Sequence, residues 1–227
     1  MGMIIGIVIF SFMMTSVVVF CVWHFMSQSK GSKEYKGYLE SLCKSLGGQM
    51  LPRNPRGYTF NLDHKNRTIS VSYSQGKISN LKKAKKTFFS AANNLTIGTE
   101  ISQYGDSPRI TFRYDSGINR KLGRKIKSGD ILFDQRVYVF TAAWPNPDPL
   151  IQSIVSSSVV RQELLRLPDL NVDWVRLGRE LTSYQLTGAI KPTLSICIEC
   201  AEPDNFDPKR VTVLLDSTAS IASAIQT

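Results

Sequence analysis

No charged side chain occurs among the first 29 residues of this 227-residue chain. Within that stretch, Ile4 to Met26 consists mostly of Ile, Val, Phe and Met, broken only by small or weakly polar residues. A helix of this length, rising about 1.5 Å per residue, would cross the roughly 30 Å hydrocarbon layer of a bilayer with its backbone hydrogen bonds satisfied internally. The sequence therefore predicts a single transmembrane anchor within residues 1–29.

Two other uses of an apolar N-terminus fit this sequence less well. A cleaved secretory signal has basic residues ahead of an apolar region of about 7–15 residues. Here no Lys or Arg precedes the apolar run, although Ser27 to Ser29 would serve as a poor cleavage site. N-myristoylation requires Ser or Thr at the position that Gly6 occupies. We therefore favour the anchor over both.

Basic residues predict the side of the membrane. Lysines follow the apolar run closely and none precedes it; they are Lys30, Lys33, Lys36 and Lys44. Because basic flanks stay inside during insertion, we expect a single-pass protein of the cell membrane whose remainder lies in the cytoplasm. The four scattered cysteines, of which only Cys197 and Cys200 lie close in sequence, agree with a reducing compartment.

Charge divides the rest of the chain unevenly. Residues 27–142 carry 21 basic and 8 acidic side chains, whereas residues 143–227 carry 7 and 10. A chain of this length suits one well-cored domain. We therefore expect one soluble basic α+β domain over residues 30–227, with a basic helix and sheet half (34–142) and a mildly acidic helix and strand half (143–227).

Periodic apolar residues predict the elements of the basic half. Helical spacing from Tyr35 to Leu46 predicts a helix that ends at Gly47. Strict alternation predicts a β-hairpin with strands over Tyr58 to Leu62 and Ile69 to Tyr73. A third strand is predicted over residues 110–114, with Arg109, Thr111 and Arg113 facing outward. A fourth, over residues 136–142, is apolar on both faces and would lie centrally in a sheet.

In the acidic half the apolar period changes after Pro149. Residues 150–165 predict one or two helices that close before Pro168. Strands are predicted over residues 172–177, 181–186 and 193–200. Asp207 as N-cap, with Pro208 in the first turn, opens a final helix. Strands that pair as hairpins between helices favour an α+β fold with a mainly antiparallel sheet and packed helices after the anchor.

The pair Cys197 and Cys200 has the C-x-x-C spacing of redox motifs and of half a zinc site. A zinc site needs four ligands, and the sequence has no second such pair. The alternation around Cys197 predicts a strand, which points neighbouring side chains to opposite faces. We therefore interpret the pair as structural and predict no metal site.

Evidence for catalysis is sparse. The two histidines, His24 and His64, fall at the end of the apolar run and in the predicted hairpin turn. No Walker loop, dinucleotide motif, serine elbow or H-E-x-x-H is present. Asp130 and Asp134 would bind a divalent cation or serve as an acid and base pair. A turn role for Asp130 and an ion pair with neighbouring Arg or Lys for Asp134 fit better. We assign no catalytic residue and no cofactor.

Two basic clusters are the predicted binding residues for an anionic surface. They comprise Lys77, Lys82, Lys83, Lys85, Lys86, Arg120, Lys121, Arg124, Lys125 and Lys127. Near an anionic leaflet each exposed basic side chain adds about 1 kcal/mol to binding. Nucleic acid is the competing partner, because the same side chains neutralise phosphates. A solvated charge run without a partner is the third interpretation.

These observations support three hypotheses about function. The first is a membrane-tethered, non-enzymatic interaction module whose basic face contacts the lipid bilayer, through anionic lipid, or an acidic partner. The second is an enzyme for an anionic substrate that uses Asp130 and Asp134, with Arg109, Arg113, Arg120 or Arg124 holding the substrate charge. The third is a subunit of a larger membrane assembly, which predicts an exposed apolar patch. The sequence does not determine the oligomeric state.

Overall fold

A computed structural model describes most of the chain. The described residues are 13–20, 33–52, 57–76, 92–104, 109–114, 124–141, 149–179, 191–199 and 201–226. Within these ranges the strands are β1 (Gln49–Met50), β2 (Gly57–His64), β3 (Arg67–Gly76), β4 (Ala92–Glu100), β5 (Ile110–Arg113), β6 (Arg124–Ile126), β7 (Tyr138–Thr141), β8 (Trp174–Arg179) and β9 (Pro192–Ile198). Residues 13–20 are helical, and the other α-helices are α1 (residues 33–46), α2 (Ile131–Arg136), α3 (Pro149–Ser156), α4 (Ser158–Arg166) and α5 (Pro208–Gln226).

The described strands form one sheet of nine, in the order β1-β2-β3-β4-β9-β8-β5-β7-β6, and every neighbouring pair is antiparallel. The α+β class and the antiparallel sheet predicted from the sequence are therefore confirmed. The β2–β3 hairpin turns through Lys65 and Asn66, which both have positive φ. A two-residue turn in which both residues have positive φ matches the right-handed twist of the paired strands.

One face of the sheet carries the apolar core. Alternate residues of β3, β4, β9 and β8, such as Val71, Ile97, Ile196 and Val175, are almost fully buried on that face. The long helix α5 packs there and contacts β2, β4 and β9. Its buried side chains include Leu214, Ala222 and others at helical spacing. Buried apolar residues recur about every 3.6 residues in α5 and at every second residue in the strands. The apolar side of the helix therefore packs on the apolar face of the sheet.

Helix α1 covers the sheet beside α5. Its Tyr35 ring stacks on Tyr73 of β3, with 5.1 Å between the ring centroids, and packs edge-on against Phe206. The helix ends where the sequence predicted, because Gly47 has a φ of 69° and Gly48 N donates to Cys43 O at 2.9 Å. A glycine in this left-handed conformation is a common helix terminator.

The predicted transmembrane helix over Ile4 to Met26 is not supported. Across the described parts of the chain, no helix is both long enough and apolar enough to cross a membrane. The membrane and single-pass assignments rested on this helix and are corrected with it.

Details of the sheet also differ from the prediction. The side chains of Thr111 and Arg113 were expected to face outward, but they are only 1% and 8% exposed. The fourth predicted strand is β7, which lies next to the end of the described sheet rather than at its centre. Strands β1, β4 and β6 and the short helix α2 were not predicted. The helices around residues 150–165, the hairpin and α5 are confirmed. The strand predicted over residues 181–186 lies outside the described residues.

A polar clasp joins the β2–β3 turn to α5. His64 Nε2 lies 2.9 Å and Lys65 Nζ 2.5 Å from the same oxygen of Asp216, Oδ1. The hydrogen bond from Lys65 lowers the pKa of Asp216 below its usual value, burial opposes this shift, and His64 adds to it. His64, which the sequence placed in the hairpin turn, is the last residue of β2.

Replacing Asp216 by Asn should lower stability near neutral pH but not in strong acid. A carboxylate with a depressed pKa stabilises the fold above the unfolded value near 3.8, and this contribution is lost as pH falls through the folded pKa. Because the side chain is 43% exposed, we expect an interaction of less than about 1 kcal/mol. Urea unfolding of Asp216→Asn, Lys65→Gln and the double variant at two pH values gives the coupling energy. A coupling that persists in strong acid would contradict this reading.

Candidate functional site

The basic edge of the sheet consists of β6 (Arg124–Ile126) and the exposed Lys127 that follows it. In the described sheet β6 pairs with β7 and is the last strand in the order. Ile126 is opposite Val139 and is 8% exposed, so this residue anchors the strand to the core. The backbone groups on the far side of β6 therefore face away from the described sheet.

A hydrogen-bonded turn follows the basic edge and leads into α2. The carboxylate of Asp134 accepts from Ser128 N at 2.8 Å, Ser128 Oγ at 2.9 Å and Gly129 N at 3.3 Å. Asp130 is the N-cap of α2, and its Oδ1 accepts from Phe133 N at 3.1 Å. Asp130 thus satisfies a backbone donor that the helix start would otherwise leave free, and Asp134 satisfies donors of the preceding turn.

Helix α2 is attached by one deeply buried side chain. Phe133 is 0% exposed, and the backbone N–H of the buried Val137 donates to Phe133 O at 2.8 Å. Asp130 also lies 3.7 Å from Arg161 Nε, which connects the turn to α4. Ile131 and Leu132, in the first turn of the helix, are 74% and 72% exposed. The local fold therefore holds two aliphatic side chains in solvent beside the basic edge.

This arrangement leaves Asp130 and Asp134 with structural partners. The sequence interpretation of Asp130 as a turn residue agrees with its capping role. Asp134 accepts hydrogen bonds from Ser128 and Gly129, whereas the sequence interpretation had paired it with Arg or Lys.

Of the arginines named for an anionic substrate, Arg109 and Arg113 have described side chains and lie at opposite ends of β5. Arg109 precedes β5 and Arg113 ends it, so the two are about 13 Å apart along the strand. Arg124 lies near the Arg109 end of β5, because Arg124 of β6 and Ile110 of β5 both pair with Thr141 of β7. Arg120 lies outside the described residues.

A second polar cluster lies where β8 and β9 meet. The guanidinium carbon of Arg176 is 4.2 Å from the Trp174 ring centroid, a cation–π contact. Trp174 Nε1 donates to Glu199 Oε1 at 3.0 Å, and Glu199 N donates to Asp173 Oδ2 at 2.6 Å. Arg176 and Glu199 thus both contact Trp174, and the cluster ties two central strands together.

Cys197 lies within this cluster, opposite Trp174 in β9. Its side chain is 2% exposed, and burial raises the pKa of the thiol well above its usual value. Thr96 Oγ1 lies 3.7 Å from its sulfur. A buried thiol that stays protonated is a poor nucleophile and a poor metal ligand. The predicted strand and structural role of Cys197 fit this environment, while Cys200 lies outside the described residues.

The predicted anionic-surface residues fall into two groups. Lys127 is exposed, and Arg124 and Lys125 belong to β6. The remaining seven lie outside the described residues: Lys77, Lys82, Lys83, Lys85, Lys86, Arg120 and Lys121. The described members of the predicted set are thus consecutive or nearly so, at one end of the sheet.

Sequence reasoning missed the exposed pair Ile131 and Leu132. Asp130 directly before an Ile-Leu-Phe run is an N-cap signal that would have predicted α2. No local pattern would have shown which of the three apolar residues is buried, because that depends on the strands that pack against Phe133.

The fold and the site together define an antiparallel α+β protein with helices on one face of the sheet and a basic strand at one end. Within the described ranges, no group of three His, Cys, Asp or Glu side chains is placed to hold a metal ion. Comparisons with protein-family models, with curated proteins and with solved structures found no match to this chain.

Proposed function

We propose that this protein is a non-enzymatic interaction module whose basic edge binds an acidic segment of a protein partner. The observation that carries the proposal is the position of β6: the last strand of the described sheet contains Arg124 and Lys125 and is followed by the exposed Lys127. An extended peptide that adds to a strand edge gains backbone hydrogen bonds, and its side chains select the partner.

The two ends of the described sheet differ in charge. The opposite end is β1, whose residues Gln49 and Met50 carry no charge. Complementary charge steers encounter and fixes register more than it adds affinity. An acidic segment would therefore distinguish the β6 end from the β1 end.

The strand edge also favours a peptide over other anionic partners. Lipid headgroups and nucleic acid phosphates would meet the same cationic side chains. Neither offers a row of amide donors and acceptors that matches the side of β6 facing away from the described sheet. The plain alternative is that these basic residues only protect an edge strand from unwanted pairing, a frequent use of lysine.

Two peptides distinguish binding of an acidic segment from mere protection of the edge strand against unwanted pairing. One peptide alternates Glu and Val, the other Lys and Val, and each carries a fluorophore for anisotropy measurements with the full chain. We expect the Glu peptide to bind, more weakly at about 0.15 M salt than at low salt because screening is stronger, and the Lys peptide not to bind.

Charge reversal tests the location of binding. The variant Lys125→Glu with Lys127→Glu should weaken binding of the Glu peptide about tenfold or more. Its matched control, Lys33→Glu with Lys44→Glu on α1, changes the net charge equally and should bind as the unaltered protein does. Equal loss in both variants, or equal binding of both peptides, would refute the proposal. Binding of phosphatidylserine vesicles without binding of the Glu peptide would indicate lipid as the partner.

A further inference from the structure

Two adjacent aliphatic side chains project from the first turn of α2. Ile131 and Leu132 are the most exposed large apolar residues in the described part of the chain, at 74% and 72%. Single exposed aliphatic residues are common and need no explanation. A neighbouring pair held at one point of a rigid frame is a different case, because little ordering entropy is lost when such side chains bind.

The frame around this pair is fixed from both sides. Before it, Asp130 caps the helix and contacts Arg161 of α4. After it, Phe133 fills the core and Asp134 holds the turn at Ser128. Turning Ile131 and Leu132 inward would break the cap and remove Phe133 from the core. The exposure of the pair is therefore built into the turn.

Cationic side chains border the pair. Lys127 lies just before the turn and is exposed, and Arg136 ends α2 and is also exposed. Asp130 and Asp134 also lie near the pair and accept backbone hydrogen bonds in the turn. Residues 124–136 carry four basic and two acidic side chains, so this segment is net positive. In protein interfaces, the residues that contribute most of the binding energy are commonly surrounded by a rim of polar or charged residues.

We infer that Ile131 and Leu132 form the apolar anchor with which this protein docks into a cleft of its partner, and that carboxylates border this cleft. The inference rests on the proposed function, since it assigns the same acidic partner to the basic edge and to the anchor. Charge complementarity with the net positive segment 124–136, which includes the exposed Lys127 and Arg136, selects an acidic protein as the occupant. A second copy of this chain and a lipid surface are the other occupants that the experiment distinguishes.

Site-specific photo-crosslinking tests the anchor in the full chain in its native cells. The probe is a benzoylphenylalanine at position 132, and the matched control is the same residue at Gln162, an exposed position on α4. We expect a cross-link from position 132, absent from position 162, to a segment of another protein that is rich in Asp and Glu. No cross-link above the control, or one to a lipid, to a second copy or to a basic segment, overturns the inference.

Affinity measurements with the cross-linked segment separate the anchor from the charge. Leu132→Ser should weaken binding by about tenfold or more while thermal unfolding is unchanged, and Leu132→Met should restore it. If Leu132→Ser binds as the unaltered protein does, the anchor is wrong and the basic edge still stands. If only the reversal of Lys125 and Lys127 is without effect, the basic edge is wrong and the anchor stands.

Discussion

Replacing Phe133 by Ala is expected to lower the free energy of unfolding by about 3–5 kcal/mol, the range for removing a buried aromatic ring and leaving a cavity. Phe133 is 0% exposed and is the buried side chain of α2. The helix has only six residues, too few to be stable without tertiary contacts. Loss of the ring should therefore also release the turn that holds Asp130 and Asp134.

The adjacent residue provides a matched control. Leu132→Ala removes an aliphatic side chain of the same helix that is 72% exposed, and it should change stability by less than about 0.5 kcal/mol. Denaturant titrations of both variants, followed by circular dichroism and by tryptophan fluorescence, provide the comparison. Similar losses for the two variants would show that α2 is not seated as described.

Replacing Gly178 by Ala is expected to cost about 1–3 kcal/mol, because the backbone conformation is one that other residues rarely adopt. Gly178 lies in β8 with a φ of +129°. A Cβ added there would lie 3.0 Å from Arg109 Cα and 3.3 Å from Arg109 Cβ. The strain and the contact act together, since the chain before β5 would have to move away.

Gly37 is the control for Gly178. It lies within α1, and an added Cβ would meet no atom within 4 Å. Alanine restricts the unfolded chain and favours the helix, so Gly37→Ala should raise stability by about 0.5–1 kcal/mol. Thermal unfolding of the two variants should thus shift in opposite directions. A stabilising Gly178→Ala would contradict the close approach of Arg109 to β8.

The two groups of predictions about the site address separate parts of one surface. Peptide binding reports on Lys125 and Lys127, whereas cross-linking and Leu132→Ser report on the anchor. Phe133→Ala should weaken binding to both parts, because the basic edge is joined to α2 by the turn at Ser128. A variant that unfolds only α2 would therefore show whether the partner needs the two parts in a fixed geometry.

The elements that the sequence predicted best are those determined by short-range patterns. Helix α1 with its Gly47 terminus, the β2–β3 hairpin and α5 after Asp207 each follow from periodicity and capping within a few residues. Strand β4 was missed because its Asn and Gly residues have low β propensity. Strand β6 was missed because three residues, two of them basic, show no period. The transmembrane prediction relied on the length, apolar composition and lack of charge of residues 1–29, and no described helix supports it.

Tertiary contacts decided the features on which the functional proposals depend. Pairing of β4 with β9 joins segments that are distant in the sequence, so local patterns carry no information about it. Burial of Arg113 and exposure of Leu132 reverse what their polarity alone predicts. Polarity determines the average tendency of a residue to be buried, but the neighbours that the fold brings to it determine where its side chain lies. The basic residues were visible in the sequence. Their place on an end strand, beside the exposed pair Ile131 and Leu132, follows only from the burial of Ile126 and Phe133 in the core.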